Sequence, residues 1–480
     1  MKVFQAALLA LAFGVALPVA AQPPAQPQTL QQSVEARLRA AGPGVRFGLV
    51  VAGEDGRELI ALAPDARFIP ASNTKLVTTA AAWASLSGLD RPDSRGGASV
   101  ALETERGATP DVVLEGFGDA RLSSAPDCAV DCLAALADAV AARTREVHDV
   151  VGDDSFYPDQ RWSPGMSWNN IPTSSGTAAS ALTLDDNELA LRVTPTAPGR
   201  APALDVLPYY VIDNRARTVA TGETELGVDR LPGSNALILT GTIVMGAGPE
   251  RLRLGVDDPA HYAAWRLRGM IEARGVRVTG AVRSRHRPPA PPAPAEGMVR
   301  ELLGRLAPPP LAEDLRLINK VSQNLHAELM LRRLGRQSGT GALADGLTVV
   351  RAMLARAGLQ RTDYDFSDGS GMSTYNRITP RGMVTLLRWA AAQPWGAAWR
   401  ATFPVAGVDG TLARRFRGTA LEGRLFAKTG SINATSALSG YLIARSGRTL
   451  TFSIYANDVP DGASAVPAMD AALLLIAEQN

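Results

Sequence analysis

Pro70-Ala71-Ser72-Asn73-Thr74-Lys75 is the stretch of this 480-residue chain from which its fold can be worked out. An Ala-rich run, residues 76–84, follows it directly and predicts a helix. Ser72 would lie in the first helical turn, where free backbone N–H groups and the positive end of the helix dipole favour a developing oxyanion. Lys75 follows one turn later on the same face, within reach of Ser72.

This spacing indicates a nucleophile with its base. A primary amine in a partly dry site can lose its proton and accept the hydroxyl proton of Ser72, whereas a guanidinium cannot. The alternative is a serine at a helix start with a solvated lysine. Composition favours the first interpretation, because only four of the 49 basic residues are lysines: Lys2, Lys75, Lys320 and Lys428. A chance S-x-x-K match is therefore less expected than usual.

Length and composition indicate a soluble globular protein of two or three domains. The chain is 46% hydrophobic and 20% charged, and its 480 residues exceed one ordinary core. A net charge of +2, with both signs interspersed, does not indicate nucleic acid or an anionic membrane as the main partner. The oligomeric state stays open, with a homodimer as one alternative.

The N-terminus has the pattern of a signal peptide over residues 1–21. Lys2 precedes an apolar segment and then small residues, with cleavage expected after Ala21. The apolar segment is short for a membrane span, and no other segment is long and apolar enough to cross a bilayer. We therefore expect an exported, periplasmic protein whose mature chain has no membrane span.

The chain has two cysteines, Cys128 and Cys132. In an oxidising compartment they could close a very small loop, but pairing within a regular helix would be strained, so a disulfide stays open. The four histidines do not cluster with the cysteines. No metal site and no cofactor are therefore expected.

The periodicity of the sequence predicts three blocks of structure. The first contains a helix, two strands and the Ser72 helix, at residues 29–41, 45–52, 58–63 and 76–84. The second, from about residue 97 to 285, has short strands and turns, with helices near 132–143 and 259–274. A stiff Pro-rich linker at 288–294 leads to the third. That block contains helices at 311–334, 346–357, 379–392 and 469–478, and strands at 425–429, 436–445 and 449–456.

Two further stretches contain candidate site residues. In the first, Ser322 and Asn324 stand at a helix start, and on an irregular turn both could face a cleft. Taken alone, a helix-capping serine explains them equally well. The second is Lys428-Thr429-Gly430-Ser431 on a predicted strand, where glycine allows a ligand backbone to approach and Lys428 and Thr429 suit a carboxylate. Taken alone, this is an ordinary edge strand.

Together and in this order, S-x-x-K, S-x-N and K-T-G resemble the motifs of the penicillin-recognising serine enzymes. Ser322 lies 250 residues after Ser72, far more than in a class A β-lactamase, and no E-x-x-L-N segment could supply that family's deacylating Glu. The long insertion resembles the low-molecular-mass class C penicillin-binding proteins, the D-alanyl-D-alanine carboxypeptidase/endopeptidases. Residues 368–373 and 152–155 resemble that family's D-G-S-G-L-S and G-D-x-S stretches.

The resemblance implies an α+β fold of the β-lactamase/transpeptidase type, an antiparallel sheet flanked by helices, with β-rich inserted domains. The implied catalytic domain comprises residues 29–96 and 297–480. Inserted domain II would comprise residues 97–200 and 250–287. Domain III, residues 201–249, would be nested within domain II.

The resemblance also assigns roles to individual residues. Ser72 would be the acylated nucleophile and Lys75 its base. Ser322 and Lys428 would pass the proton to the leaving D-alanine amine, and Asn324 would hold both the substrate amide and Lys75. Which lysine or serine moves each proton stays open.

The resemblance also implies substrate contacts for the K-T-G motif and for two positions at which this sequence differs from some members of the family. Thr429 would bind the terminal carboxylate beside Gly430, and the N–H groups of Ser72 and Ser431 would form the oxyanion hole. Asn170 stands where some relatives have the carboxylate of a W-N-D segment that binds a substrate side-chain amine. Thr374 stands where some relatives have an arginine. Both departures affect the expected side-chain preference of the substrate.

The implied function is a serine-type D-Ala-D-Ala carboxypeptidase, with D,D-endopeptidase action as a further activity. Its partners would be peptidoglycan stem peptides ending in D-Ala-D-Ala, and β-lactam antibiotics would inhibit it. One alternative is a β-lactamase-like hydrolase. Another is a catalytically silent cell-wall-binding protein, although binding alone does not need a serine beside a lysine. The sequence has no G-x-S-x-G elbow for a Ser-His-Asp hydrolase.

Overall fold

The computed structural model describes residues 29–105, 107–231, 233–287 and 297–480. The predicted signal peptide, residues 1–21, and the predicted linker at 288–294 lie outside the described residues. Among the helices of the described part, none combines the length and the hydrophobicity that crossing a bilayer requires.

The α-helices of the described residues are α1 Leu30–Leu38, α2 Thr74–Ser85, α3 Leu133–Arg143, α4 Pro259–Glu272, α5 Leu311–Lys320, α6 Asn324–Gly335, α7 Leu343–Arg356, α8 Pro380–Ala391, α9 Gly396–Ala401 and α10 Val466–Gln479. Short 3-10 segments are Arg39–Ala41, Ala71–Asn73, Trp168–Asn170, Ser174–Gly176, Asp185–Asn187 and Gly410–Leu412.

The strands are β1 Arg46–Ala52, β2 Glu58–Leu62, β3 Ser99–Thr104, β4 Asp111–Glu115, β5 Glu146–Val147, β6 Val150–Asp153, β7 Glu188–Thr194, β8 Ala203–Asp205, β9 Val211–Asn214, β10 Arg217–Val219, β11 Glu225–Arg230, β12 Ala236–Val244, β13 Glu250–Gly255, β14 Arg277–Val278, β15 Val282–Arg285, β16 Val299–Arg305, β17 Tyr364–Asp365, β18 Arg377–Ile378, β19 Leu425–Ile432, β20 Thr435–Ile443 and β21 Thr449–Asn457.

A five-stranded antiparallel sheet, in the order β19-β20-β21-β1-β2, forms the centre of the part predicted to be the catalytic domain, called the catalytic part below. Strand β21 is buried on both faces because helices cover both. Phe452 and Ile454 share a core with α1 and α10, while Tyr455 shares another with α2 and α8. The predicted α+β fold, with helices flanking an antiparallel sheet, is confirmed.

A second five-stranded sheet, in the order β15-β6-β4-β3-β16, is covered by α3 and α4. The described residues from β3 to β16 are called the inserted part below. Strand β16 pairs with β3. The predicted start of the second catalytic segment at residue 297 is therefore wrong for this strand. Its exposed residues Val299 and Leu302 gave no alternating core pattern that would have assigned it to a sheet.

A smaller sheet, β10-β12-β11 with β9 beside β12, lies within the region predicted as nested domain III. Its buried residues Leu237, Leu239 and Ile243 belong to the same apolar cluster as α3 and α4. The nested segment therefore shares its core with the rest of the insertion. Apart from the correction at β16, the domain division stays a prediction.

The single helix predicted over residues 311–334 is wrong, because α5 ends at Lys320 and α6 begins at Asn324. Ser322 between them has φ 64°, in the left-handed region that interrupts a helix. The side chain of Gln323 caps α6 by accepting a hydrogen bond from the N–H of Leu325 at 3.0 Å. This break forms the irregular turn that the S-x-N motif requires.

Cys128 and Cys132 form a disulfide, with their Cα atoms 5.8 Å apart. Cys132 directly precedes α3, so the bridge closes a loop in front of the helix and not a helical turn. The pairing that the sequence left open is therefore present in the structure.

His326, on α6, joins the inserted part to α5. Its buried ring lies 2.8 Å from Asp186 of the insertion, through Nε2, and 3.2 Å from Asp314 of α5, through Nδ1. Burial alone would lower the pKa of His326, but the contacts with the carboxylates of Asp186 and Asp314 outweigh it and raise the pKa to about 9.

We expect His326→Gln to destabilise the protein by about 3 kcal/mol near pH 6, and by progressively less as the pH rises through about 9. A raised pKa in the folded state stabilises the fold fully below the unfolded value, near 6.5, and this stabilisation is lost as the histidine deprotonates. Urea titrations at pH 6, 8 and 10 measure the difference. A difference that does not change with pH would contradict the ion-pair assignment, and His148→Gln, at an exposed position, is the matched control.

Candidate active site

Two glycines allow neighbouring backbones to approach the Ser72 turn closely. A Cβ at Gly430 of β19 would lie 2.7 Å from the carbonyl oxygen of Pro70 and 3.2 Å from the nitrogen of Ser72. A Cβ at Gly371 would lie 1.9 Å from the carbonyl oxygen of Ala71. A side chain at either position would push the third motif or the 368–373 loop away from the Ser72 turn.

Lys75 is fully buried and donates to three oxygens. Its Nζ lies 2.9 Å from Oγ of Ser72, 2.6 Å from Oδ1 of Asn324 and 2.6 Å from the carbonyl oxygen of Ser370. An ammonium has three N–H donors, so these three acceptors satisfy it completely. The first and second sequence motifs therefore meet at this amine.

The same geometry orients Lys75 when it is neutral. The carbonyl oxygens of Asn324 and Ser370 can only accept, so they take the two remaining N–H groups. The lone pair then points at the hydroxyl of Ser72, the one partner that can donate. The arrangement is that of a base directed at its nucleophile.

Burial lowers the pKa of Lys75 from its ordinary value to about 7, although the nearby carboxylates of Asp368 and Glu328 oppose this shift. An appreciable fraction of Lys75 is therefore neutral at neutral pH, as a general base requires. Asp368 is itself buried, and burial together with Glu328 raises its pKa to about 6.

Lys428 is the second buried amine. Its Nζ donates to Oγ of Ser322 at 2.9 Å and to the carbonyl oxygen of Thr429 at 2.8 Å, and its own carbonyl oxygen accepts from Asn73 at 2.8 Å. Burial, with the charge of Lys75 as a further cause, lowers the pKa of Lys428 well below its ordinary value. The left-handed turn at Ser322 thus connects the second and third motifs.

The amide of Asn324 is fixed from both ends. Its Oδ1 accepts from Lys75, and its Nδ2 donates to the carbonyl oxygen of Ser175 at 2.9 Å. Ser175 belongs to the inserted part, so the insertion holds the amide with its oxygen toward Lys75. A backbone contact of this kind leaves no signal in the sequence.

The remaining residues of the third motif line the edge strand β19. The hydroxyl of Thr429 donates to that of Thr411 at 2.7 Å, and Ser431 is exposed. Gly430 lies against the Ser72 turn. The carboxylate-binding role of Thr429 and the oxyanion hole of Ser72 and Ser431 stay predictions.

Asn170 and Thr374 lie where the inserted part meets the catalytic part. The N–H and Oγ1 of Thr374 both donate to the carbonyl oxygen of Gly165, at 3.0 and 3.1 Å. The carbonyl oxygen of Asn170 accepts from the N–H of Thr173 at 3.0 Å, next to the 3-10 segment that contains Ser175. Their part in substrate choice stays a prediction.

Sequence reasoning did not assign roles to two buried acids, Asp368 and Glu328. Asp368 accepts N–H groups from Gly371 and Ser373, at 2.9 and 2.6 Å, and so shapes the loop that carries Ser370. The position of Glu328, one helical turn after Asn324, was a signal in the sequence that could have identified it.

Lys320, the third lysine of the described residues, supports the Ser322 turn from behind. Its Nζ lies 2.5 Å from Asp409, and its side chain is 14% exposed. Asp409 also accepts the N–H of Val405 at 2.8 Å and stands two residues before Thr411. Lys320 therefore connects the turn to the segment that contacts Thr429.

One group in the described residues brings three metal-ligand side chains together: Asp111, His148 and Asp149. It belongs to the inserted sheet and not to the cleft. Asp149 already accepts the N–H of Ala281 at 2.7 Å and pairs with Arg283 at 2.5 Å. This group therefore has a structural explanation within the sheet.

Comparison with known proteins identifies the family. Residues 30–479 match the family described as D-Ala-D-Ala carboxypeptidase 3 (S13). The chain is 34% identical over 450 residues to a D-alanyl-D-alanine carboxypeptidase from Actinomadura sp. (strain R39), covering 90% of this chain and 80% of that protein. It is 29% identical over 449 residues to carboxypeptidase DacB from Mycolicibacterium smegmatis, with the same coverage, 90% and 80%.

The fold is that of a solved relative. The crystal structure of penicillin binding protein 4 (dacB) from Haemophilus influenzae superposes with a TM-score of 0.76 at 21% identity, covering 92% of this chain and 97% of that one. This match confirms the predicted fold class, while the family match and the 34% identical relative confirm the family resemblance and the serine carboxypeptidase activity. Since the match spans nearly the whole described chain, the protein belongs to the D-Ala-D-Ala carboxypeptidase 3 (S13) family.

Proposed function

We propose that the protein removes the terminal D-alanine from peptidoglycan stem peptides through an acyl-enzyme on Ser72. The observation that carries this proposal is the geometry of Lys75, whose hydrogen bonds to Asn324 and Ser370 direct the lone pair of the neutral amine at the Ser72 hydroxyl. The family membership supports the substrate class.

In the proposed acylation step, Oγ of Ser72 attacks the carbonyl carbon of the penultimate D-alanine while its proton moves to Lys75. The C–N bond then breaks, and the leaving amine takes a proton that passes through Lys428 and Ser322. Water hydrolyses the resulting ester and regenerates the Ser72 hydroxyl. Asn324 holds the substrate amide, and Thr429 binds the terminal carboxylate.

A β-lactam would follow the first half of this path, because its carbonyl and carboxylate resemble the D-Ala-D-Ala terminus. The acyl-enzyme would then persist, since the leaving amine stays tethered to it. A β-lactamase-like hydrolase would instead turn the adduct over quickly, so the lifetime of the penicillin adduct separates these two candidate functions.

D,D-endopeptidase action on cross-links uses the same bond-breaking chemistry and is proposed as a second activity. Periplasmic location and an exported mature chain are proposed from the leader pattern at residues 1–21. Digestion of purified peptidoglycan, with the products identified by mass, tests the function. Free D-alanine indicates carboxypeptidase action, cleaved dimers indicate endopeptidase action, and neither product would contradict the proposal.

We expect weak selection for a free amine on the substrate side chain, because Asn170 offers an amide where some relatives have a carboxylate. An amide cannot form an ion pair with an ammonium as a carboxylate does, and a partly exposed ion pair would itself contribute only about 1 kcal/mol. The measurement compares kcat/KM for peptides with the amine free and acetylated, in the wild type and in Asn170→Asp. A preference of about a hundredfold or more in the wild type would contradict the role given to Asn170.

A further inference from the structure

Glu328 occupies a position that the proposed chemistry does not explain. It lies on α6 one turn after Asn324, and its side chain is 10% exposed. One oxygen, Oε1, accepts the N–H groups of Gly369 and Ser370, each at 3.0 Å. The other, Oε2, accepts from Arg332 at 3.0 Å and from Ser163 of the inserted part at 3.3 Å.

These contacts lead directly to the candidate base. Ser370, whose N–H is held by Glu328, presents its carbonyl oxygen to Nζ of Lys75 at 2.6 Å. The loop is pressed against α6 as well, because a Cβ at Gly369 would lie 2.5 Å from the carbonyl oxygen of Ala327. The carboxylate of Glu328 therefore fixes one of the two acceptors that orient the lone pair of Lys75.

We propose that Glu328 is a positioning residue for Lys75, holding the loop that presents the Ser370 carbonyl and supplying negative charge beside the ammonium. This inference rests on the proposed function of Lys75 as the base. Glu328 also connects the inserted part to Lys75. Its Oε2 accepts from Ser163 of the inserted part, and Arg332, which donates to Glu328, also donates to the carbonyl oxygen of Gln160 of the inserted part at 2.5 Å.

The charged groups around Lys75 determine the sign of the effect. Asp368 and Glu328 favour its protonated form, and the nearby basic group is the buried amine of Lys428, whose pKa lies well below its ordinary value because of burial and the charge of Lys75. Arg332 partly offsets Glu328 but lies on its far side from the loop, bonded to Oε2. Removing the charge of Glu328 should therefore lower the pKa of Lys75 and leave more of it neutral in mildly acidic solution.

The test is the pH profile of acylation by a labelled penicillin. Glu328→Gln keeps an oxygen that can accept from Gly369 and Ser370 but removes the charge. We expect the midpoint of the acidic limb to move down by about one pH unit, with a plateau rate within a few fold of the wild type. Glu328→Ala removes the acceptors too, and its plateau rate should fall by about tenfold or more.

Arg332 is almost fully buried and would lose its counter-ion in Glu328→Gln, so the double variant Glu328→Gln/Arg332→Gln provides a charge-balanced alternative if the single variant does not fold. The control is Glu115→Gln, whose carboxylate bonds to Ser99 and Arg300 of the inserted sheet. A downward shift of the midpoint in Glu328→Gln or in the double variant, with no shift in Glu115→Gln, supports the proposal. An unmoved midpoint, with or without a uniform loss of rate, overturns it. Failure of Lys75 as the base would show instead as near wild-type acylation by Lys75→Arg.

Discussion

Ser72→Ala should lose covalent labelling by penicillin, whereas the wild-type chain should take up one equivalent. Nζ of Lys75 lies 2.9 Å from Oγ of Ser72, so removal of the hydroxyl leaves the proposed base without a nucleophile to activate. A loss of ~10⁴-fold or more is expected for both β-lactam acylation and release of D-alanine from a stem peptide. Intact-mass analysis of the folded variant provides the measurement.

Ser322→Ala is the matched control for this experiment. Ser322 bonds to Lys428 and not to Lys75, so its loss should slow acylation and leave a single adduct on the protein. An adduct that forms on folded Ser72→Ala at the wild-type rate would refute the assignment of the nucleophile.

Lys75→Arg should be as damaging as Lys75→Ala, with acylation ~10²–10⁴-fold slower than in the wild type. A guanidinium keeps its proton, so it cannot accept one from Ser72. In the wild type the acylation rate should rise with pH through about 7, because burial lowers the pKa of Lys75 to that value and only the neutral amine acts as a base. Stopped-flow acylation by one β-lactam, measured across pH, tests both expectations.

The other two lysines are the controls. Lys428→Arg should keep some activity if the longer side chain fits, since a guanidinium can also donate the hydrogen bond that Lys428 gives to Ser322. Lys320→Arg should be tolerated best, because a guanidinium can also pair with Asp409 at the partly exposed position of Lys320. Near wild-type acylation by Lys75→Arg would contradict the base assignment.

The sequence predicted those parts of the site that depend on local spacing. Ser72 lies in the 3-10 segment Ala71–Asn73 and Lys75 follows three residues later in the first turn of α2, so their contact follows from local spacing alone. Three strands of the central sheet were equally predictable, because the local pattern of the sequence indicates strands at 425–429, 436–445 and 449–456, where β19, β20 and β21 lie.

Other features depend on contacts between distant parts of the chain. The apolar period of residues 311–334 continues across Ser322, so only tertiary packing could show that the helix breaks there. Strand β16 exposes Val299 and Leu302, and its pairing with β3 could not be inferred from its own pattern. Lys75 donates to the carbonyl oxygen of Ser370, and Asn324 donates to that of Ser175. Both acceptors are backbone atoms, so the identity of the accepting residue could not reveal these contacts.

Localising the penicillin adduct within the chain is the decisive measurement. Trypsin should place Ser72 in the peptide of residues 68–75 and Ser322 in the peptide of residues 321–332, so the two candidate serines are separated before sequencing. We predict that tandem mass spectrometry finds the adduct on Ser72 alone. An adduct on Ser322, or on any other residue of the folded wild-type protein, would contradict the proposed mechanism.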